Sequence, residues 1–370
     1  MHRRISHYLS LLVLLIFTAF GLGGCELLGT NDTTEEPAVT GVYVANQGNF
    51  SDANGSITVY DPDTQTVVQD AVPNIGSIIQ SLLLWKGKGF IMANTANRVD
   101  VFDLDTHART AQIEEVTSPR YMAIVNEGKA YVTNLFLADF TGGKVTIINP
   151  QTHEKIGEIT EGIGNNPEGI TIAGNRAYVA NNGFGHGNSL SVINTSTDEV
   201  IDTITLEGCD GPRFLLTDAE EEVWAFCTGK VIYDDNWNVI GTTNGKVFVL
   251  NGATGAVVKT FNVNGRLISS GPGQDAYYAP ESQEIFAVNG NQLLRFNTAT
   301  NAQRASVTLP QEEASIGAVA YDGLTEQLYV GWVTGFTTAG WVGIYNTAGV
   351  EQSRFTAGIA PTYIAFRRSE

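Results

Sequence analysis

Most of this chain reads as short runs in which apolar and polar positions alternate, each run closed by Gly, Asn or Asp. The clearest stretch spans residues 119–159. An apolar run follows Pro119 (PRYMAIV), a Gly turn (NEGK) leads to AYVTN, and a loop (LFLADFTGG) leads to KVTIIN. The turn PQTH then gives EKIGEI. Alternation with period two, punctuated by turn residues, predicts four short antiparallel strands. The third strand of the unit ends in Asp or Asn, followed by a Thr-containing turn. This marker occurs seven times, at Asp61, Asp103, Asn149, Asn194, Asn251, Asn297 and Asn346, with intervals of 42, 46, 45, 57, 46 and 49 residues. A period near 45 residues with four strands per unit predicts an all-β fold: a seven-bladed β-propeller of four-stranded antiparallel blades.

The ends of the repeat are out of phase. The first copy opens at its second strand (YVANQG, from Tyr43), and the last is followed by Ile359 to Phe366 (IAPTYIAF), which matches the missing inner strand. The C-terminal strand is therefore expected to complete the first blade, close the ring and remove its open edge. One unit is long. Between Cys227 and Asn251 the chain adds TGKVIYDDNWNVIGTTNG, about a dozen residues beyond the usual interval. Such an insertion is either a binding surface or a drifted loop with a small hairpin.

The N-terminus departs from the pattern. Arg3 and Arg4 precede an apolar run from Leu9 to Phe20, followed by Leu22-Gly23-Gly24-Cys25. A positive start, an apolar stretch and small residues before a cleavage point make a secretory signal. A run this short does not span a bilayer, which takes about 20 residues. Cysteine directly after the small residues resembles the lipobox of bacterial lipoproteins, which implies cleavage before Cys25 and its lipidation. Three acyl chains there exceed the two needed for stable anchoring. Glu26 resembles the outer-membrane sorting choice. The expected division is a signal peptide at 1–24, a lipidated Cys and flexible tether at 25–39, and a single propeller at 40–370, facing the cell surface or the periplasm.

Charge narrows the partners. Acids outnumber bases 39 to 21, a net charge of -18. That disfavours nucleic acid, whose phosphates need a cationic surface, and attraction to anionic lipid. With Cys25 lipidated, Cys209 and Cys227 remain, an even pair that suggests a disulfide in an exported protein; two buried thiols are the alternative.

The second-strand motif recurs as YVAN (from Tyr43), IMAN (from Ile91), YVTN (from Tyr131) and YVAN (from Tyr178), with weaker copies WAFC, FAVN and YVGW at Trp224, Phe286 and Tyr329. Over residues 41–366 the chain resembles the YVTN family of seven-bladed propellers. The resemblance implies the fold but no single activity. With a lipobox and tether, the chain is similar to the lipoprotein branch that captures corrinoids at the surface and passes them to a TonB-dependent transporter. That similarity implies a membrane attachment through the N-terminal lipid, a small amphipathic ligand and a transporter as partner.

In a propeller, the loops leading into the inner strands share one rim with the loops between second and third strands. These vary most here, so the ligand site is expected on that variable rim. Gln80, Arg120, Glu168, Arg213, Gln274, Asp275 and Thr362 are expected to ring the channel mouth. Arg120 and Arg213 there either orient a polar ligand or pair with neighbouring acids. Rim aromatics add Phe50, Phe136, Phe140, Phe184, Tyr233, Trp237, Trp332 and Phe336, which suit an amphipathic ligand, a protein partner or simple packing between blades. Catalytic motifs are missing: no H-E-x-x-H, C-x-x-C, G-x-S-x-G or phosphate-binding loop occurs, and no cofactor or metal is expected. His186, with Glu168 or Asp275, is the one group that fits a lactonase-like alternative. A scaffold or adhesin is the third reading. His107 and His153 fall in equivalent turns on the other face, where Asp61, Asp63, Asp103 and Asp105 also lie; Asx turns account for these acids without Ca²⁺.

Overall fold

A computed structural model describes residues 37–135, 142–271 and 273–369. Seven antiparallel four-stranded sheets form the blades of a propeller, joined by one two-stranded hairpin. The inner strands of blades two to seven are Ile79–Trp85, Pro119–Asn126, Pro167–Ala173, Pro212–Thr217, Ala276–Ala279 and Ser315–Asp322. Blade one takes its inner strand from the other end of the chain: Pro361–Arg368 pairs antiparallel with Val39–Asn46, with Val42 opposite Phe366 and Val44 opposite Ile364. The ring is thus closed by the C-terminal strand.

The repeat residues have specific tasks. At each of the seven marker positions the side-chain oxygen accepts backbone N–H groups just ahead in the turn, as Asp61 does from Asp63 and Thr64, and Asn149 from Gln151 and Thr152. The fourth residue after the marker then takes positive φ in six blades, at Gln65, His107, His153, Asp198, Gly255 and Asn301, and in blade seven the third does, at Gly349. A side chain that mimics a backbone turn reverses the strand without a costly loop. The Tyr of the second strand reaches into the next blade: Tyr43 donates to Leu104 O (2.9 Å), Tyr178 to Gly252 O (2.8 Å) and Tyr131 to Asp198. The Asn that ends this strand is buried and ties it to its neighbours. Asn46 donates to Thr58 Oγ1 (3.0 Å), and Asn134 accepts from Thr146 N and Oγ1 (3.1 and 2.8 Å). One face of each strand packs between blades, where Phe90, Tyr131, Trp224, Phe286 and Trp332 are fully enclosed.

Blade seven is recessed. Its inner strand is buried from Ile316 to Asp322, and the inner strands of blades six and one meet in front of it. Gln274 N donates to Gly317 O and Thr362 O, and Gln274 Nε2 donates to Ile364 O while its Oε1 accepts from Ile364 N (3.3 and 3.0 Å). The rings of Tyr277 and Phe366 stand 5.7 Å apart beside this bridge. Gly317 permits the close approach, since a Cβ there would lie 2.5 Å from Pro361 O. In blade five, Cys209 and Cys227 are joined by a disulfide with Cα atoms 5.6 Å apart.

Candidate functional site

Five of the polar residues expected at the channel mouth do meet there, on different blades, but they are committed to one another. Arg120 donates Nε and Nη2 to Glu168 (2.9 and 2.6 Å) and Nη1 to Gln80. Arg213 holds Asp275 in the same two-pronged way and donates Nη2 to Ser269 Oγ (3.0 Å) and Nη1 to Gly271 O (3.1 Å). Asp275 also accepts from Ser269 N and Oγ (2.8 and 2.9 Å). All are buried. Burial works against the Arg213 charge, but Asp275 outweighs it and holds the guanidinium above its ordinary pKa. Of the two readings of Arg120 and Arg213, the structure has the second: they pair with neighbouring acids. The reason is geometric. Adjacent inner strands set a long Arg beside a carboxylate, and an unpaired buried charge would cost several kcal/mol. Gln274 is likewise spent on bridging blades six and one, and buried Thr362 Oγ1 makes no hydrogen bond among the described residues.

Ser270, Gly271 and Gly273, which follow blade five, lie over this belt. Ser270 N donates to Ile316 O (2.6 Å), Tyr121 Oη to Gly273 O (3.3 Å), and Arg213 grips Gly271 O from below. Gly271 has φ +66, and a Cβ on it would stand 3.1 Å from Gln47 Oε1 and 3.2 Å from the Phe336 ring. Trp332 is no rim aromatic in the sense expected. It is buried, stacked on Trp341 with centroids 6.1 Å apart, and donates Nε1 to Tyr345 Oη (3.0 Å). Its edge does border a cleft of about 370 Å³ between blades six and seven, with Ile268, Ile316, Asn291 and Gln311.

Other rim aromatics stay in solvent. Trp237 is 81% exposed and Phe184 67%, with Phe50, Tyr233 and Phe336 also exposed. The insertion in blade five forms the hairpin, Val231–Tyr233 paired with Val239–Thr242. Asp234 builds its tip by accepting from Asn236 N and Asn238 N (both 2.8 Å), which leaves Trp237 at φ +65. A bulky residue in that region is strained, and such strain tends to sit at functional sites. Val239 and Ile240 are exposed on the same hairpin. His186 is exposed on the neighbouring blade-four loop. Phe136, Phe140 and Cys25 lie outside the described residues.

Beyond the belt the channel changes character. The inner strands of blades two to five start fully buried and become partly exposed toward their ends, on the face of the Asx turns. There the channel holds two overlapping lobes of about 300 Å³ each, sharing Leu82, Phe214, Leu216 and Tyr363. Sequence reasoning passed over these residues. Apolar alternation such as Leu82/Leu84 or Phe214/Leu216 was visible, but bulges at the starts of four inner strands shift which side faces the axis. Among the described residues, no group of three His, Cys, Asp or Glu side chains is placed to hold a metal ion.

Two solved structures show the same fold. A chain of Kuenenia stuttgartiensis hydrazine synthase aligns with a TM-score of 0.60 at 18% identity, covering 79% of this chain and 95% of that one. A chain from the structure of U3-55K aligns with a TM-score of 0.52 at 12% identity, covering 72% and 76%. A search of the curated proteins finds no match. The profile of the domain of unknown function DUF5074 matches residues 40–357. The chain therefore belongs to the DUF5074 family, whose domain here is a seven-bladed β-propeller.

Proposed function

We propose that this protein is a non-enzymatic binding module, anchored to the outer membrane through Cys25, that captures an amphipathic ligand on the variable rim and hands it to a transporter. One observation carries the reading: the blade-five hairpin lifts Tyr233, Trp237, Val239 and Ile240 off the rim into solvent. Contiguous exposed apolar side chains of this kind mark binding surfaces.

The resemblance to surface corrinoid-capture lipoproteins makes a corrinoid the first ligand to try, with a TonB-dependent transporter as recipient. The lactonase-like alternative has no observation in its favour, because Glu168 and Asp275 are both already bound to guanidinium groups. Calorimetric titration with cyanocobalamin tests the ligand. The expected result is saturable heat with the wild type and affinity at least tenfold weaker in Trp237→Ala. No heat and no protection against melting would remove the corrinoid.

A further inference from the structure

We propose a second binding site, independent of the rim: the axial channel on the Asx-turn face takes an uncharged, apolar small molecule carrying one hydrogen-bonding oxygen. Three observations support it. The first is shape. The buried belt fills one end, with Arg213 bonded to Gly271 O beyond it, while the strand ends leave the other accessible. The second is wall chemistry. Leu82, Ala123, Ile170, Phe214, Leu216 and Ala365 line the two lobes, which together leave room for more than a few waters at about 30 Å³ each. Water in such a place finds few partners, and apolar cavities of this kind accept apolar guests instead.

The third observation is a single polar handle. Tyr363 borders both lobes, and its hydroxyl makes no hydrogen bond to protein among the described residues. Burial alone pushes it up to about 12, so it is a neutral donor at any physiological pH. The other hydroxyls that border the lobes are engaged: Tyr121 Oη bonds Gly273 O, Ser81 Oγ donates to Arg120 O (2.6 Å), Thr171 and Thr217 bond each other (2.7 Å), Tyr278 Oη accepts from Ala219 N (3.1 Å), and the Tyr277 hydroxyl lies against the Arg368 guanidinium.

Charge at the open end selects against ions. A surface groove adjoins the channel at Leu84 and Phe366 and carries Lys86, Arg367 and Arg368. Lys86 is paired with Glu127, Arg367 with Asp105, and Arg368 with Glu281 and Asp322. No cation there is left over for an anionic head group. A carbonyl or ether oxygen, by contrast, accepts from the Tyr363 hydroxyl without needing a charge partner.

The test is a fluorescence titration of the full chain with N-phenyl-1-naphthylamine. Saturable one-to-one binding is expected. Filling the channel by Ala123→Phe should weaken it at least tenfold, and so should Ala365→Phe, from the opposite wall, which decides the matter if the first variant does not fold. Trp237→Ala on the rim should leave it unchanged. In competition, 2-decanone should displace the probe about fivefold more effectively than decane, the worth of one neutral hydrogen bond, and Tyr363→Phe should abolish that preference. Absence of saturable binding would overturn the proposal. So would loss of binding in Trp237→Ala with none in either filled variant, or a ketone preference untouched by Tyr363→Phe.

Discussion

The two ends of the axial channel are built from the same inner strands, yet they are opposites. At the variable rim the lining is polar and paired across blades: Arg120 with Glu168 and Gln80, and Arg213 with Asp275 and Gly271 O. At the Asx-turn face it is more apolar and open, with Tyr363 as its one unengaged hydroxyl among the described residues. The difference shows that variability along the sequence does not locate the axial cavity. Variable loops can cover a channel as readily as they can line a pocket, and here Ser270, Gly271 and Gly273 bond over the belt while the blade-five hairpin projects beside it.

Deleting residues 358–370 should have the largest effect. It removes the wall strand that carries Tyr363 and Ala365, the acceptors for Gln274 and the closure of blade one. The expected outcome is loss of cooperative unfolding across the whole domain, followed by denaturant titration; an unchanged melting temperature would show that ring closure is dispensable.

Substitutions at the two ends should then separate. Arg213→Ala leaves Asp275 buried and uncompensated and should cost about 3–5 kcal/mol in urea unfolding. Tyr363→Phe removes a hydroxyl that bonds no protein group and should change stability by no more than about 0.5 kcal/mol. Equal losses would mean that the open end is as tightly knit as the polar one.

The disulfide between Cys209 and Cys227 spans 18 residues beside the hairpin. Its removal in a double Cys→Ser variant should cost about 3 kcal/mol through restored loop entropy, measured by the same titration under oxidising conditions. No difference from wild type would assign the hairpin's footing to packing alone.

The smallest effect concerns pH. His107 and His153 sit in equivalent turns on the open face, and burial lowers both below the ordinary imidazole value, with Arg367 and Lys88 adding to it respectively. Their folded pKa values are lower than the unfolded value of about 6.5. Above that value both states are neutral and the contribution to stability is complete. As pH falls through 6.5 the unfolded chain takes up protons first, so stability declines until the folded pKa values are passed. The urea midpoint should therefore drop between pH 7.5 and 5, and the double variant His107→Gln, His153→Gln should flatten that dependence.

How legible was this in the sequence? The fold was readable because its determinants are local and repeated. Each marker Asp or Asn makes its own turn, and the second-strand Tyr and Asn make matching bonds in two blades, Tyr43 with Tyr178 and Asn46 with Asn181. The meeting of Gln80, Arg120, Glu168, Arg213 and Asp275 followed from equivalent repeat positions. That their atoms would be mutually satisfied did not, because pairing across blades depends on side-chain reach. Trp332 reads like a rim residue, yet a hydrogen bond to Tyr345 draws it into the core. The channel went unseen for a further reason: bulges at the inner strands and the recess of blade seven reset which residues face the axis, and neither leaves a mark in residue spacing.

The most direct measurement of this account is a crystal structure of the protein under xenon pressure, since a dry apolar cavity takes up xenon and a polar, paired mouth does not. Xenon density between Leu82, Phe214 and Tyr363, with none above the Arg213–Asp275 pair, is the predicted result. Density only at the variable rim, or a channel filled by ordered water on both sides of the belt, would contradict it.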